Sequence, residues 1–117
     1  MNSEKVIDVR NIDVQVTLPE GLLRVVNQNL VDLTPWHIMP SDLATKRLRS
    51  LRQRYSRKYV PFARRTDCDD LACIDPEQPG EIVIIHDFAS DGAELRHRFG
   101  SFWDWFRAAM EEMIAFE

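Results

Sequence analysis

The 117-residue chain is 44% hydrophobic and 29% charged, with four Gly and six Pro, which excludes disorder and a fibrous repeat and leaves these residues no room for a second catalytic module. No apolar run approaches the roughly 18 residues of a membrane span, and Met1–Arg10 alternates charge with aliphatics rather than following a basic segment by an apolar one, so a single domain over 1–117 is expected, off the membrane and without an export signal. The net charge of −4 conceals a partition: residues 1–40 carry three basic and five acidic side chains, 41–65 nine and one, and 66–117 three and thirteen.

Ile12, Val14, Val16 and Leu18 alternate with Asp13, Gln15 and Thr17, the period of a half-buried strand that Pro19 ends. Leu22, Leu23, Val26 and Leu30 recur at helical spacing and predict a helix over 19–31 with Pro in its first turn. Residues 34–40, bounded by Pro35 and Pro40, read as an extended connection anchored by Trp36. Ser41 or Asp42 is expected to cap a helix over 42–56, whose narrow apolar stripe is Ala44, Leu48, Leu51 and Tyr55. Lys46, Arg47, Arg49, Arg52 and Arg54 occupy the rest of its circumference.

Residues 59–65 and 71–75 read as strands joined by an acidic turn at 67–70. Pro76-Glu77-Gln78-Pro79-Gly80 predicts a second turn, and 81–88, aliphatic on both faces, a central strand. Three short strands so joined make an antiparallel meander. After a loop at Asp91-Gly92, Ser101 with Asp104 three residues on marks an N-cap. The helix that follows puts Phe102, Phe106, Ala109, Met110, Met113 and Ile114 on one broad face, with Trp103 and Trp105 on its borders, so Phe106 is expected to be the deeper anchor and Trp105 the wetter ring. The fold class is therefore α+β: an antiparallel sheet meander flanked by helices, with a C-terminal amphipathic helix packed on the sheet.

Asp67, Asp69 and Asp70 form the densest carboxylate cluster, which can serve as a turn, a surface for a basic partner or a hard-metal site; it lacks the Gly and distal Glu of a calcium hand. Cys68 and Cys73 with His86 offer no paired C-x-x-C for zinc, and Cys73 shares a face with Leu71 as a small buried thiol would. Two cysteines are too few for a disulfide framework, so a reducing cytoplasm is expected. His37, His86 and His97 lie in different segments with no nucleophile motif, His86 and Asp87 point to opposite strand faces, and the glycines at 21, 80, 92 and 100 make no phosphate loop. The expectation is no enzyme, no cofactor and no metal. The basic block either neutralises the acids of its own domain or offers phosphate a weak, non-specific contact.

Val60-Pro61-Phe62-Ala63, the Asp69-Asp70 turn, Leu71-Ala72-Cys73-Ile74-Asp75, the run from Gly80 to Asp87, and Ser101-Phe102-Trp103-Asp104-Trp105-Phe106 occur in an order that resembles the SUKH superfamily, over about half of the chain. This family groups the fungal cell-wall synthesis regulator with bacterial immunity proteins. Asn27 and Asn29 stand without the glycines of the family's common Asn-Gly-Gly step. The resemblance implies an α+β domain without catalytic residues that binds and blocks a cognate toxin, often a nuclease. A monomer or weak homodimer is expected. An acidic surface suits a basic nuclease cleft. The carboxylates that match are Asp67, Asp69, Asp70, Asp75, Asp87 and Asp91, with Trp36 and Trp105 as further docking anchors. The alternative is a regulatory adaptor or weak nucleic-acid-binding domain using the basic helix 42–58.

Overall fold

A computed structural model describes residues 5–116; Met1–Glu4 and Glu117, included in the domain above, lie outside the described residues. The chain runs α1 (Glu20–Asn27), β1 (Asp32–Leu33), β2 (Trp36–Ile38), α2 (Ser41–Arg54), β3 (Val60–Arg65), β4 (Asp70–Asp75), β5 (Gln78–His86), β6 (Leu95–Phe99) and α3 (Phe102–Ala115). All six strands form one sheet in sequence order, each pair antiparallel. The expected α+β meander with a helix on the sheet is what the chain forms, with a meander of six strands where one of three was expected.

The sheet carries helices on both faces. Asp70, Ile84, Trp105 and Glu112 border one recess, which places α3 over the face shown by alternate residues of β4 and β5. Leu71 borders another with Arg47 of α2, so α2 covers the opposite face. Leu71, Ala72, Cys73 and Ile74, like Ile82 to Ile85, are all buried, the pattern of strands covered twice. β5 lies between β4 and β6, as its aliphatic run predicted.

Departures from the sequence reading have physical causes. Residues 12–18 form no strand; their alternation is real, with Ile12, Val14, Val16 and Leu18 resting half-buried on the core and Asp13, Gln15 and Thr17 exposed, but no strand edge pairs with them. The segment is tied down through Asp13, whose carboxylate takes Arg52 Nε at 2.6 Å and Lys58 Nζ at 3.2 Å. The first helix stops at Asn27, because Asn29 takes φ 60°, and Leu30 is left exposed. The connection around Trp36 is a hairpin of β1 and β2 across a cis Thr34–Pro35 peptide, and β6 gives no apolar signal because Arg96, His97 and Arg98 break any such pattern on this edge strand. α2 starts after Pro40 without a side-chain cap from Ser41 or Asp42.

At α3 the cap is as expected: Ser101 Oγ accepts from the Asp104 N–H at 3.2 Å. The phase is not. Phe102, Trp105, Phe106 and Ala109 are buried, while Met110, Met113 and Ile114 are exposed. Trp105, at 1% exposure, is the deepest ring of the helix, meeting the Trp36 ring edge-on at 5.6 Å and the Phe62 ring at 5.1 Å. Surplus apolar residues on one flank drew the expected face round by about half a residue's rotation. Gly21 lets α1 meet this helix, since a Cβ there would lie 2.7 Å from a Phe102 ring carbon.

Trp105→Ala is therefore expected to destabilise the fold by about 3 to 5 kcal/mol and by more than Phe106→Ala, which denaturant midpoints of the two variants will rank. Gly21→Ala should cost about 1 to 3 kcal/mol by forcing the Phe102 ring aside, read in the same titration.

Candidate functional site

The charge partition resolves into ion pairs between its blocks. Of the basic residues in 41–65, Arg52 and Lys58 hold Asp13, Arg54 holds Asp87, Arg57 holds Asp75, and Arg65 holds Asp67 and Glu112. Lys46, Arg47, Arg49 and Arg64 make no ion pair with a described residue. Neutralisation within the domain is thus the fate of most of the block.

The same pairs build one end of the sheet. The Arg54 guanidinium meets the buried Asp87 carboxylate just beyond β5, Tyr55 donates its hydroxyl to the His86 carbonyl at 3.1 Å, and the Asp87 N–H bonds the Asp69 carbonyl at 2.9 Å. The β3–β4 and β5–β6 turns and the end of α2 are thereby locked together. The second turn is pinned twice more. Asp91 accepts from the Ser56 N–H at 3.1 Å and from its hydroxyl at 2.8 Å, which draws the Asp91 carboxyl below the usual range. The Glu94 carboxylate, buried, takes the Gly92 N–H at 2.7 Å and the Tyr59 hydroxyl at 3.1 Å. Burial, with the Glu94 charge behind it, pushes the Tyr59 hydroxyl up to about 12.

Phe88 stands in this turn. Its φ of 77° is a left-handed conformation that bulky side chains rarely adopt, and its ring is 60% exposed, so neither backbone preference nor burial accounts for it. The Arg54 guanidinium carbon lies 4.5 Å from the ring centroid, a cation–π contact that fixes the ring from beneath. Residue type and period gave no sign of Phe88; only its place straight after a buried ion pair does.

The acidic turn is less free than its sequence implied. Asp67 receives two hydrogen bonds from Arg65, both at 2.8 Å, which lower its carboxyl and raise the guanidinium. Asp70 meets Arg96 Nε at 2.9 Å and His86 Nδ1 at 3.3 Å. Asp69 makes no ion pair with a described residue, and it borders a polar recess of about 160 Å³ with Arg47, Arg64, Cys68, Asp70 and Asp87. The structure brings Asp67, Asp69, Asp70, Asp87 and Asp91 to neighbouring turns but leaves Asp75 buried between Arg57 and Arg98.

Three expected docking residues are buried. Asp87 is 2% exposed and spent on Arg54; Trp36 and Trp105, 2% and 1% exposed, are core rings packed on each other, so none offers a surface to a partner in this conformation. Trp36 instead donates Nε1–H to Glu112 at 3.4 Å beneath the Arg65 guanidinium.

Cys73 is fully buried, and desolvation raises its thiol well above the ordinary value; Cys68 is exposed and free. Among the described residues no three His, Cys, Asp or Glu side chains gather as a metal site. His86 Nδ1 lies 3.3 Å from the Asp70 carboxylate and His37 Nδ1 3.5 Å from that of Asp32. Among the described residues no helix is long and apolar enough to cross a membrane. No family model, curated protein or solved structure matches the chain.

Asp13 gives a pH prediction. Its carboxyl is lowered from 3.8, chiefly by Arg52, so its contribution to stability is present above pH 3.8 and lost as pH falls through the lower folded value. Asp13→Asn should lower the urea midpoint at pH 7 by the equivalent of about 1 kcal/mol or less, the pair being partly exposed, and the gap between the proteins should close below pH 3.8.

Proposed function

We propose that the chain is a non-catalytic binding module of the SUKH kind, acting in the cytoplasm as an immunity protein that binds and blocks a cognate toxin with a basic cleft, such as a nuclease. The observation that carries this reading is the end of the sheet around Phe88: a strained, exposed aromatic ring on a turn held by Arg54–Asp87, Ser56–Asp91 and Tyr59–Glu94, beside the acidic turn of Asp67, Asp69 and Asp70. Interfaces draw most of their affinity from a few rigid aromatic and arginine anchors, and a side chain ordered in advance loses little entropy on docking. The carboxylates would steer a cationic partner, and Phe88 would hold it. The order of strand, acidic turn, strand, aliphatic strand and aromatic helix supports the family likeness.

A second reading rests on Lys46, Arg47, Arg49 and Arg64, the cations of the basic block without a described ion-pair partner. Four cations, two of which border the acidic turn, support only weak, non-specific phosphate contact, and binding to duplex DNA that vanishes by about 200 mM salt is expected in a fluorescence anisotropy titration.

The main test is stopped-flow association with a cognate toxin domain. Replacing Asp67, Asp69 and Asp70 together by Asn should slow association and flatten its salt dependence, with thermal unfolding as the folding control. Phe88→Asn, which tolerates the left-handed backbone, should leave the fold intact and speed dissociation at least about tenfold. Folded variants that both block the toxin as the native chain does would place the contact elsewhere.

A further inference from the structure

We propose that the outward face of α3 is a self-association surface, on which a second copy of this chain packs its own α3 antiparallel. The buried face of α3 is used by the sheet; a second apolar stripe is not. Trp103, Met110 and Ile114, spaced i, i+7 and i+11, are 39%, 38% and 72% exposed and line one side of the helix over about three turns. Trp103 is already fixed. Its ring meets Phe102 edge-on at 5.4 Å and Phe106 at 5.7 Å, and a Cβ on Gly21 would come within 2.9 Å of it.

The charges beside the stripe identify the occupant. Arg107, its side chain 78% exposed, and Glu111 lie four residues apart on the same flank, and the ion pair of Arg107 with Asp104 is long, at 3.9 Å. When two copies of a helix pack antiparallel about a two-fold axis, the same flank of each meets the other in reversed order. Arg107 of each copy then falls opposite Glu111 of the other, giving two symmetric ion pairs astride the joined stripes. A parallel pair would set this flank against the opposite one and lose both. One helix face from each copy is a small interface, so the dimer is weak, with a dissociation constant on the order of micromolar or above. Pairing uses none of the residues assigned to toxin docking and stands apart from that reading.

Sedimentation velocity of the full chain from roughly 5 to 500 µM tests the proposal. The native chain should shift from monomer to dimer across the range. Met110→Glu and Ile114→Glu, both at exposed positions, should remain monomeric with unchanged thermal unfolding. Arg107→Glu should weaken the dimer about tenfold, and the swap Arg107→Glu with Glu111→Arg should restore it, because the pair is re-formed with its signs exchanged. A native chain that stays monomeric throughout, a dimer indifferent to Met110→Glu, or a swap that fails to rescue would each overturn the antiparallel pairing.

Discussion

Asp87 is a carboxylate at the end of a buried strand, and its place in the fold depends on Arg54. A charge taken out of water at that depth is costly alone, and breaking such a pair from one side typically costs about 3 to 5 kcal/mol. The pair makes demands on its surroundings. Arg54 must come from the last turn of α2, so the helix has to end over β5, and Tyr55 then reaches the His86 carbonyl. The turn after Asp87 must return within reach of Ser56 and Tyr59, which Asp91 and Glu94 accomplish. The link between α2 and the β5–β6 turn is therefore ionic, whereas that between α3 and the sheet is aromatic, through Trp105, Trp36 and Phe62.

That division explains why the charge map was legible and the site was not. A basic segment followed by an acidic one within a single domain can scarcely avoid pairing, and the ion pairs of Arg54, Arg57 and Arg65 follow from that juxtaposition. Which carboxylates would be consumed is a matter of register. Asp75 ends β4 and Asp87 directly follows β5, both facing arginines and buried, whereas Asp69 falls in the turn and remains exposed. Sequence spacing treats the three alike.

Secondary structure was legible wherever burial and pairing coincide. β3, β4, β5 and α2 combine strong apolar periods with Pro, Gly or Asp punctuation, and they form within a few residues of their expected bounds. The two go separate ways at 12–18, which has the alternating burial of a strand without a ladder, and at β6, which has the ladder without the alternation. In α3 an apolar stripe beyond the one the core needs displaced the expected face, leaving Trp105 undervalued. Helical spacing tells where the apolar side chains of α3 stand, and packing decides which of them the core takes.

Phe88 and Trp103 share a physical character. Each is a large aromatic ring with substantial exposure, and each is immobilised by its neighbours, Phe88 by Arg54 and Trp103 by Phe102, Phe106 and Gly21. A domain selected for stability alone has no use for a strained φ under an exposed Phe, since Gly or Asn would relieve it there. Rigidity without burial is the condition under which a side chain can contribute to association with little further entropy loss. It is met on two elements of unlike charge setting: an acidic turn for Phe88, and a flank of alternating sign for Trp103. Acidic surroundings favour a cationic partner, while a cation and an anion four residues apart on one helix flank complement their own reversed copy, so the two proposed contacts differ for electrostatic reasons rather than hydrophobic ones.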